Sequence, residues 1–320
     1  MITFSPVVSD ILVKAFDPRR ILCVFHDIDG THSLIRTWPP VMSIVLHYAS
    51  VNGVPEGYDS PENVKKLAAQ AGMKPLPQTD AFCVESAGLS ALTQMEWALR
   101  RAVDAGVENV ACNRAENREK IRRIFAGEEV FPDMPDSPEM QMFLAQHTPR
   151  LFKFYEQVLN TFCRDSNLAD ARVHPEKYRV PGSPELIRFL HEHGVKNYFV
   201  TGAVLEKGMG MYEEVVALGY DIGEGCLVDD IIGSTWDEKV PKDVIMKRLA
   251  GQLGLEGKDI LVIGDGRSEV AAGDEMGAAI ISRLPADALY QRELHKKLGT
   301  HVIVSDYLDS RLYDMFEYKA

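Results

Sequence analysis

ILCVFHDIDGTHS, residues 21 to 33, is the stretch that decides the fold predicted for this chain. Its first five residues, Ile21 to Phe25, are all apolar, which is typical of a strand buried on both faces of a parallel sheet. That strand runs directly into Asp27 and Asp29. Ionised carboxylates beside an apolar core cost desolvation free energy, so they are kept mainly where a cation or a catalytic role compensates. A plain strand followed by an Asp/Gly turn is the alternative.

Composition narrows the class of protein. The chain has 320 residues, which favours two domains or one domain with a large insertion. Its 47 acidic and 35 basic residues give a net charge of −12, which argues against binding a nucleic-acid backbone. The five cysteines are scattered without CxxC spacing and indicate reduced thiols in a cytoplasmic protein. We also predict neither secretion nor membrane insertion, because no basic leader and no long apolar stretch occurs.

The order of elements predicts an α/β fold with an insertion. Residues 34 to 178 show helical periodicity and turn punctuation, with candidate helices that include Pro40–Ser50 and Met140–Phe162. From Pro181 onward, strands and helices alternate, and Tyr307–Tyr318 is predicted as a closing helix. We therefore predict a Rossmann-like parallel-sheet core from residues 1–33 and 179–320, with an all-helical domain at 34–178 inserted into it.

Three of the predicted strands end in polar residues. Asp27 and Asp29 follow the first, Thr201 follows the strand that ends at Val200, and Asp265 follows a strand that ends near Ile263. In open parallel sheets the carboxyl ends of the strands meet at one edge, where ligands bind. Two acids a few ångströms apart need a positive partner, and Mg²⁺ with a phosphate oxygen suits such carboxylates. This pattern indicates phosphoryl transfer.

The chain resembles the haloacid dehalogenase superfamily, whose hydrolases carry four dispersed motifs on this fold. Motif one, DxDGT, matches Asp27 to Thr31, and motif two matches Thr201. Motif three is a lysine at a helix start, for which Lys242 is preferred and Lys239 is the competitor. Motif four matches the stretch from Gly264 to Glu269, GDGRSE.

The resemblance implies a role for each matched residue. Asp27 would be the nucleophile and Asp29 the general acid and base, while Thr201 and Lys242 would hold the phosphoryl oxygens. Further residues complete the expected set. The predicted Mg²⁺ ligands are Asp27, Asp29, Asp265 and Glu269, and the predicted substrate contacts are Gly30, Thr31, Gly202 and Arg36. The helical insertion would correspond to the cap domain that the superfamily places between motifs one and two.

The second acid helps to choose among the reactions of the superfamily. Its dehalogenases lack an acid at the position of Asp29, whereas its phosphatases and phosphomutases keep it for proton transfer to an oxygen. We therefore expect a cytoplasmic, Mg²⁺-dependent phosphatase that acts on a small phosphorylated metabolite. A phosphomutase and a non-catalytic phosphometabolite-binding protein are the alternatives. The sequence does not identify the substrate. It also leaves the oligomeric state open, with a homo-oligomer as one alternative. His26, next to Asp27, is predicted to be a hydrogen-bonded core histidine.

Overall fold

The computed structural model describes residues 2–35, 38–86, 89–236 and 240–318. Its described residues form two compact units. One unit combines 1–36, 168–234 and 240–320, and the other combines 37–167 with 235–239. The sequence analysis predicted that the inserted helical domain runs from residue 34 to residue 178. No helix among the described residues is both long enough and apolar enough to span a membrane.

A six-stranded parallel sheet forms the centre of the first unit, with the strand order β5-β4-β3-β6-β7-β8. The strands are β3 (Cys23–His26), β4 (Lys196–Val204), β5 (Asp230–Ser234), β6 (Ile260–Gly264), β7 (Ala279–Arg283) and β8 (Val302–Val304). The central strand β3 pairs with β4 on one side and with β6 on the other, so His26 lies opposite both Phe199 and Ile263. All four residues of β3 are buried, as predicted for the apolar run, but this strand covers Cys23–His26 and not Ile21–Phe25, because Ile21 belongs to another strand.

Helices cover this sheet and connect its strands, which confirms the predicted α/β class. They are α8 (Ser183–Glu192), α9 (Gly210–Ala217), α10 (Lys242–Leu253), α11 (Arg267–Met276), α12 (Leu289–Leu298) and the short α13 (Ser310–Tyr313). Apolar side chains pack between helices and strands on both faces. On one face, Leu186 and Leu190 of α8 join a core with Val24. On the other, Ile245 and Met246 of α10 join a core with Phe25.

A second, three-stranded antiparallel sheet was not predicted. It consists of β1 (Ile2–Phe4), β2 (Arg19–Ile21) and β9 (Phe316–Tyr318) in the order β2-β1-β9. The closing helix predicted for Tyr307–Tyr318 is therefore wrong over most of its length, because only Ser310–Tyr313 is helical. The last segment pairs instead with the start of the chain, with Phe4 opposite Phe316. That tertiary partner overrides the local helical pattern.

The second unit is helical. Its helices are α1 (Trp38–Asn52), α2 (Pro61–Gln70), α3 (Pro77–Glu85), α4 (Ala91–Asp104), α5 (Arg114–Phe125) and α6 (Pro138–Leu159). A π-helical turn, Asn160–Arg164, follows α6, and α7 (Asp165–Val173) leads back into the α/β unit. Helix α3 was not predicted, because only three of its residues are buried and it has no clear apolar stripe.

Buried charges lie inside the helical unit. Arg100 of α4 and Lys120 of α5 are almost fully buried, and both bind Asp136, at 2.6 and 2.7 Å. Arg100 also binds Glu96 one turn earlier on α4. Two cations thus face two carboxylates, which offsets their desolvation. In the same unit, the aromatic rings of Phe82 and Trp97 stack at 3.9 Å.

Candidate active site

A tight loop follows β3 and carries the first two acids. The backbone amide of Asp27 donates to the carbonyl of Ile263 at 2.8 Å, so Asp27 still belongs to the sheet register. The amides of Thr31, His32 and Ser33 then all donate to the carbonyl of Ile28, at 3.2, 2.9 and 2.9 Å. We call residues 27–33 the acid loop. Its winding around one carbonyl holds both acids at the end of the central strand.

Lys242 lies between two buried carboxylates. Its Nζ donates to Oδ1 of Asp27 at 2.7 Å and also to Oε1 of Glu269. The side chains of Lys242, Asp27 and Glu269 are only 3%, 7% and 2% exposed. Lys242 is the first residue of α10, where the helix dipole disfavours a cation, so these carboxylates hold it there.

The charges in this trio depend on one another. Burial raises the pKa of Asp27, Lys242 opposes that rise, and Glu269 adds to it. Burial alone would lower the pKa of Lys242, but Asp27 and Glu269 together raise it above its usual value. The lysine therefore remains an ammonium between the side chains of Asp27 and Glu269. One oxygen of Glu269, Oε2, has no hydrogen-bond partner among the residues that the structure describes.

Asp265 packs against the backbone of the acid loop. Gly30 has φ of +73°, and a β-carbon built on it would lie 1.8 Å from Oδ2 of Asp265. Only glycine therefore fits at this position, for reasons of both backbone conformation and space. The close approach brings the motif-four acid to the loop that carries Asp27 and Asp29.

The carboxylates of Asp27 and Asp265 are the kind of ligand that a hard divalent cation prefers. Among the parts of the chain that the structure describes, no three His, Cys, Asp or Glu side chains are grouped so that they could hold a metal by themselves. An ion here would need non-side-chain ligands beside Asp27 and Asp265, and Mg²⁺ typically combines one or two carboxylates with waters and phosphate oxygens. Glu269 is bonded to Lys242, and Asp29 is partly exposed in the acid loop. The metal roles of all four acids stay predictions.

Thr201 and Gly202 lie inside a longer strand than predicted. Strand β4 continues to Val204, with an irregular register against β5 between Val200 and Val204. Thr201 is buried, and its Oγ1 accepts a hydrogen bond from the amide of Ala203 at 3.1 Å. It lies two positions beyond Phe199, whose partner His26 precedes Asp27. The register thus places the motif-two hydroxyl at the same edge of the sheet as Asp27.

The predicted substrate contacts have different surroundings. The hydroxyl of Thr31 donates to Oδ2 of Asp27 at 3.2 Å, so it orients the carboxylate whatever else it binds. Arg36 and Lys239 lie outside the described residues. Of the two candidate lysines, Lys242 is therefore the one for which the described residues show a contact with Asp27. Lys239 is not compared with it.

Sequence reasoning overlooked a buried polar chain behind the acid loop. Asn197 donates through Nδ2 to two carbonyls, so its Oδ1 accepts from Nε2 of His26, at 3.0 Å. Nδ1 of His26 must then accept from Nε2 of His32, at 2.9 Å, and Nδ1 of His32 accepts from Ser183. Burial lowers the pKa of His26 to about 4 and also lowers the pKa of His32. Both rings are neutral, and His26 is the hydrogen-bonded core residue that was predicted.

Two further side chains that the sequence analysis missed contact the acid loop. Arg283, the last residue of β7, donates to the carbonyl of Gly30 at 3.0 Å. Tyr307 donates to the carbonyl of Thr31 at 3.0 Å. Arg283 could have been found by the argument that selected Asp27, because it too is a polar residue at the carboxyl end of a parallel strand. Tyr307 could not, since it fell in the segment that was predicted to be helical.

Comparisons with known proteins were made with both sequence and structure. No protein-family model matches the sequence, and no curated protein is significantly similar to it. Solved structures do resemble it. "Putative beta-phosphoglucomutase from Bacteroides vulgatus" has a TM-score of 0.50 at 14% identity, over 93% of this chain and 89% of that one.

Two other similar structures have lower scores. A phosphonoacetaldehyde hydrolase like protein from Oleispira antarctica has a TM-score of 0.49 at 12% identity, over 97% of this chain and 96% of that one. A predicted phosphatase from Clostridium acetobutylicum has a TM-score of 0.48 at 12% identity, over 92% and 98%. Identities this low are informative about the fold alone. The similarity to the beta-phosphoglucomutase structure therefore shows a shared fold, which agrees with the α/β fold predicted from the sequence.

Proposed function

We propose that this protein is a Mg²⁺-dependent phosphatase that hydrolyses a small-molecule phosphate monoester through an aspartyl-phosphate intermediate. The observation that carries the proposal is the buried ammonium of Lys242, held between Asp27 and Glu269 at the carboxyl end of the central strand. Such an arrangement costs desolvation free energy, which a purely structural turn would not require. It is suited to a nucleophilic carboxylate that must meet an anionic phosphoryl group.

In the proposed first step, an oxygen of Asp27 attacks phosphorus, the ester P–O bond breaks, and the substrate oxygen leaves as an alcohol with a proton from Asp29. The attack needs an ionised carboxylate, and Lys242 favours that form although burial opposes it. Lys242 and the hydroxyl of Thr201 would also hold phosphoryl oxygens, whose negative charge is spread in the transition state. Thr31 keeps the second oxygen of Asp27 in place.

In the proposed second step, water attacks the phosphorus of the aspartyl phosphate, the bond between phosphorus and Asp27 breaks, and inorganic phosphate leaves. Asp29, which has given its proton to the leaving oxygen in the first step, would now take a proton from the attacking water. Its partial exposure, next to buried Asp27, suits a group that must exchange protons with the substrate and with solvent. The presence of this second acid favours phosphoryl transfer over dehalogenation.

Mg²⁺, when bound, would neutralise negative charge on the phosphoryl group during the attack. Asp27, Asp265 and the backbone carbonyl of Asp29 would hold it. Because Glu269 is bonded to Lys242, we propose that it positions the lysine and binds the ion at most through water.

The free cysteines, of which Cys23 and Cys83 are buried, support a reducing compartment such as the cytoplasm.

A panel of metabolite phosphoesters, with one aryl phosphate, tests the proposal in the presence and absence of Mg²⁺. We expect multiple-turnover phosphate release by the wild type, and a loss of at least about 1,000-fold in Asp27→Asn. Asp274→Asn is the matched control, since it makes the same change at an exposed acid on α11 and should leave turnover unchanged.

The same panel separates the alternatives. Transfer of the phosphoryl group to a second hydroxyl, without release of phosphate, would indicate a phosphomutase. Binding of a phosphometabolite without any turnover would indicate a non-catalytic protein. Comparable activity in Asp27→Asn and the wild type would reject the assignment of the nucleophile.

A further inference from the structure

Two buried side chains from the last part of the chain bind backbone carbonyls of the acid loop. Arg283 donates through Nη1 to Gly30 and through Nε to the carbonyl of Ser305, at 3.0 and 2.9 Å. Tyr307 donates through its hydroxyl to Thr31 at 3.0 Å. The exposed fractions of Arg283 and Tyr307 are 7% and 0%. The bonds from Arg283 to Gly30 and from Tyr307 to Thr31 each join residues more than 250 positions apart in the sequence.

The hydrogen bonds within the loop do not involve these two carbonyls. Its amides converge on the carbonyl of Ile28, and the amide of Gly30 donates to the carbonyl of Ser33. The carbonyls of Gly30 and Thr31 therefore point out of the turn, where a buried acceptor without a donor would be costly. Arg283 and Tyr307 supply the donors, and one of them is charged.

The two donors are themselves held in place. The ring of Tyr307 stacks on that of His32 at 5.4 Å, and its backbone carbonyl accepts from the hydroxyl of Tyr313 at 3.0 Å. Arg283 shares Ser305 with Arg292, whose Nη2 donates to the hydroxyl of that serine at 2.8 Å. The acid loop is thus bonded to a rigid framework and not to mobile surface groups.

We propose that Arg283 and Tyr307 are positioning residues for the general acid and base. The carbonyl of Gly30 belongs to the peptide unit between Gly30 and Thr31, and that of Thr31 to the next unit, so the two bonds hold the peptide planes that lie one and two units beyond Asp29. Fixing both peptide planes fixes the backbone angles of the loop and so the direction of the Asp29 carboxyl relative to Asp27. The inference rests on the proposed function, in which proton transfer by Asp29 accompanies attack by Asp27. Neither residue touches the reacting atoms.

Conservative variants test this role through the split between kcat and KM. We expect Tyr307→Phe to lower kcat about tenfold and Arg283→Lys about 100-fold, because a carboxyl misplaced by about 1 Å can cost that much. The KM should change less than about twofold, since the phosphoryl contacts remain. Tyr178→Phe and Arg114→Lys are matched controls, because they make the same substitutions at side chains that bind Asp170 and the carbonyls of Val103 and Asp104 and not the acid loop, and both should keep kcat within about twofold.

Hydrogen exchange of the acid-loop amides gives a readout that does not depend on activity. The amides of Thr31, His32 and Ser33 should exchange about tenfold faster in Tyr307→Phe and Arg283→Lys than in the wild type, and unchanged in the two controls. A kcat equal to that of the controls would overturn the proposal, as would unchanged exchange. If the wild type hydrolyses no phosphoester, the proposed function fails, whereas faster exchange in the two variants would still show that these residues hold the loop.

Discussion

Replacing Lys242 by methionine should destabilise the fold strongly, with or without a substrate. The substitution keeps most of the apolar volume but removes the ammonium that binds Asp27 at 2.7 Å and also binds Glu269. Two buried carboxylates would then face each other without a cation. Because removing one member of a buried ion pair typically costs about 3 to 5 kcal/mol, we expect the free energy of unfolding to fall by that amount.

A lysine on the same helix provides the matched control. Lys247 also binds two carboxylates, Asp243 and Glu275, but it is 40% exposed. Solvent screens such surface pairs, so Lys247→Met should cost less than about 1 kcal/mol. Urea unfolding of both variants in metal-free buffer measures the difference.

A double variant separates the charge effect from lost packing. Adding Glu269→Gln to Lys242→Met removes one of the two uncompensated carboxylates, so we expect roughly half of the lost stability, about 2 kcal/mol, to return. A Lys242→Met variant that loses no more stability than Lys247→Met would refute the buried trio. Equal stability of the single and double variants would show that the loss does not arise from the two carboxylates.

Three further perturbations test other parts of the structure. Gly30→Ala should lower the free energy of unfolding in urea by at least about 2 kcal/mol, because the new β-carbon meets Asp265. Gly194→Ala is the control with a similar φ but open space around it, and it should cost about 1 kcal/mol. Equal costs would contradict the packing of Gly30 against Asp265. His26 has a pKa of about 4 in the folded protein and about 6.5 in the unfolded chain. Because the unfolded chain binds a proton first, the free energy of unfolding should fall by about 3 kcal/mol in full as the pH drops from 6.5 to 4. NMR titration of the His26 ring near pH 6.5 would contradict this. Asp136→Asn should lower the free energy of unfolding by about 3 to 5 kcal/mol, since two buried cations lose their shared carboxylate; a loss below about 1 kcal/mol would count against that network.

The parallel sheet and its motif residues were accessible from sequence because their signals are local. An apolar run that ends in acids, as before Asp27, predicts both a buried strand and its functional end. Lys242 was chosen through the resemblance, as a lysine at the start of the helix before the last motif strand. The structure places its Nζ against Asp27, while the catalytic roles of both residues stay predictions.

The features that escaped prediction depend on partners far away in the chain. Phe316–Tyr318 is a strand because Ile2–Phe4 lies beside it, and nothing in its own sequence reveals that pairing. Tyr307 was therefore assigned to a helix, and its bond to the acid loop was missed. The division of one apolar run between β2 and β3 has the same origin, since Ile21 pairs with Ile2 in the small sheet, whereas Cys23 begins the large one.

The central claim is that Asp27 carries the phosphoryl group during turnover. Borohydride reduces an acyl phosphate to an alcohol, so quenching the enzyme during turnover of a phosphoester should convert residue 27 to homoserine, which peptide mass spectrometry detects. We predict this change in the wild type with substrate and Mg²⁺, and none without substrate. Steady hydrolysis with Asp27 unmodified and another carboxylate reduced in its place would contradict the account.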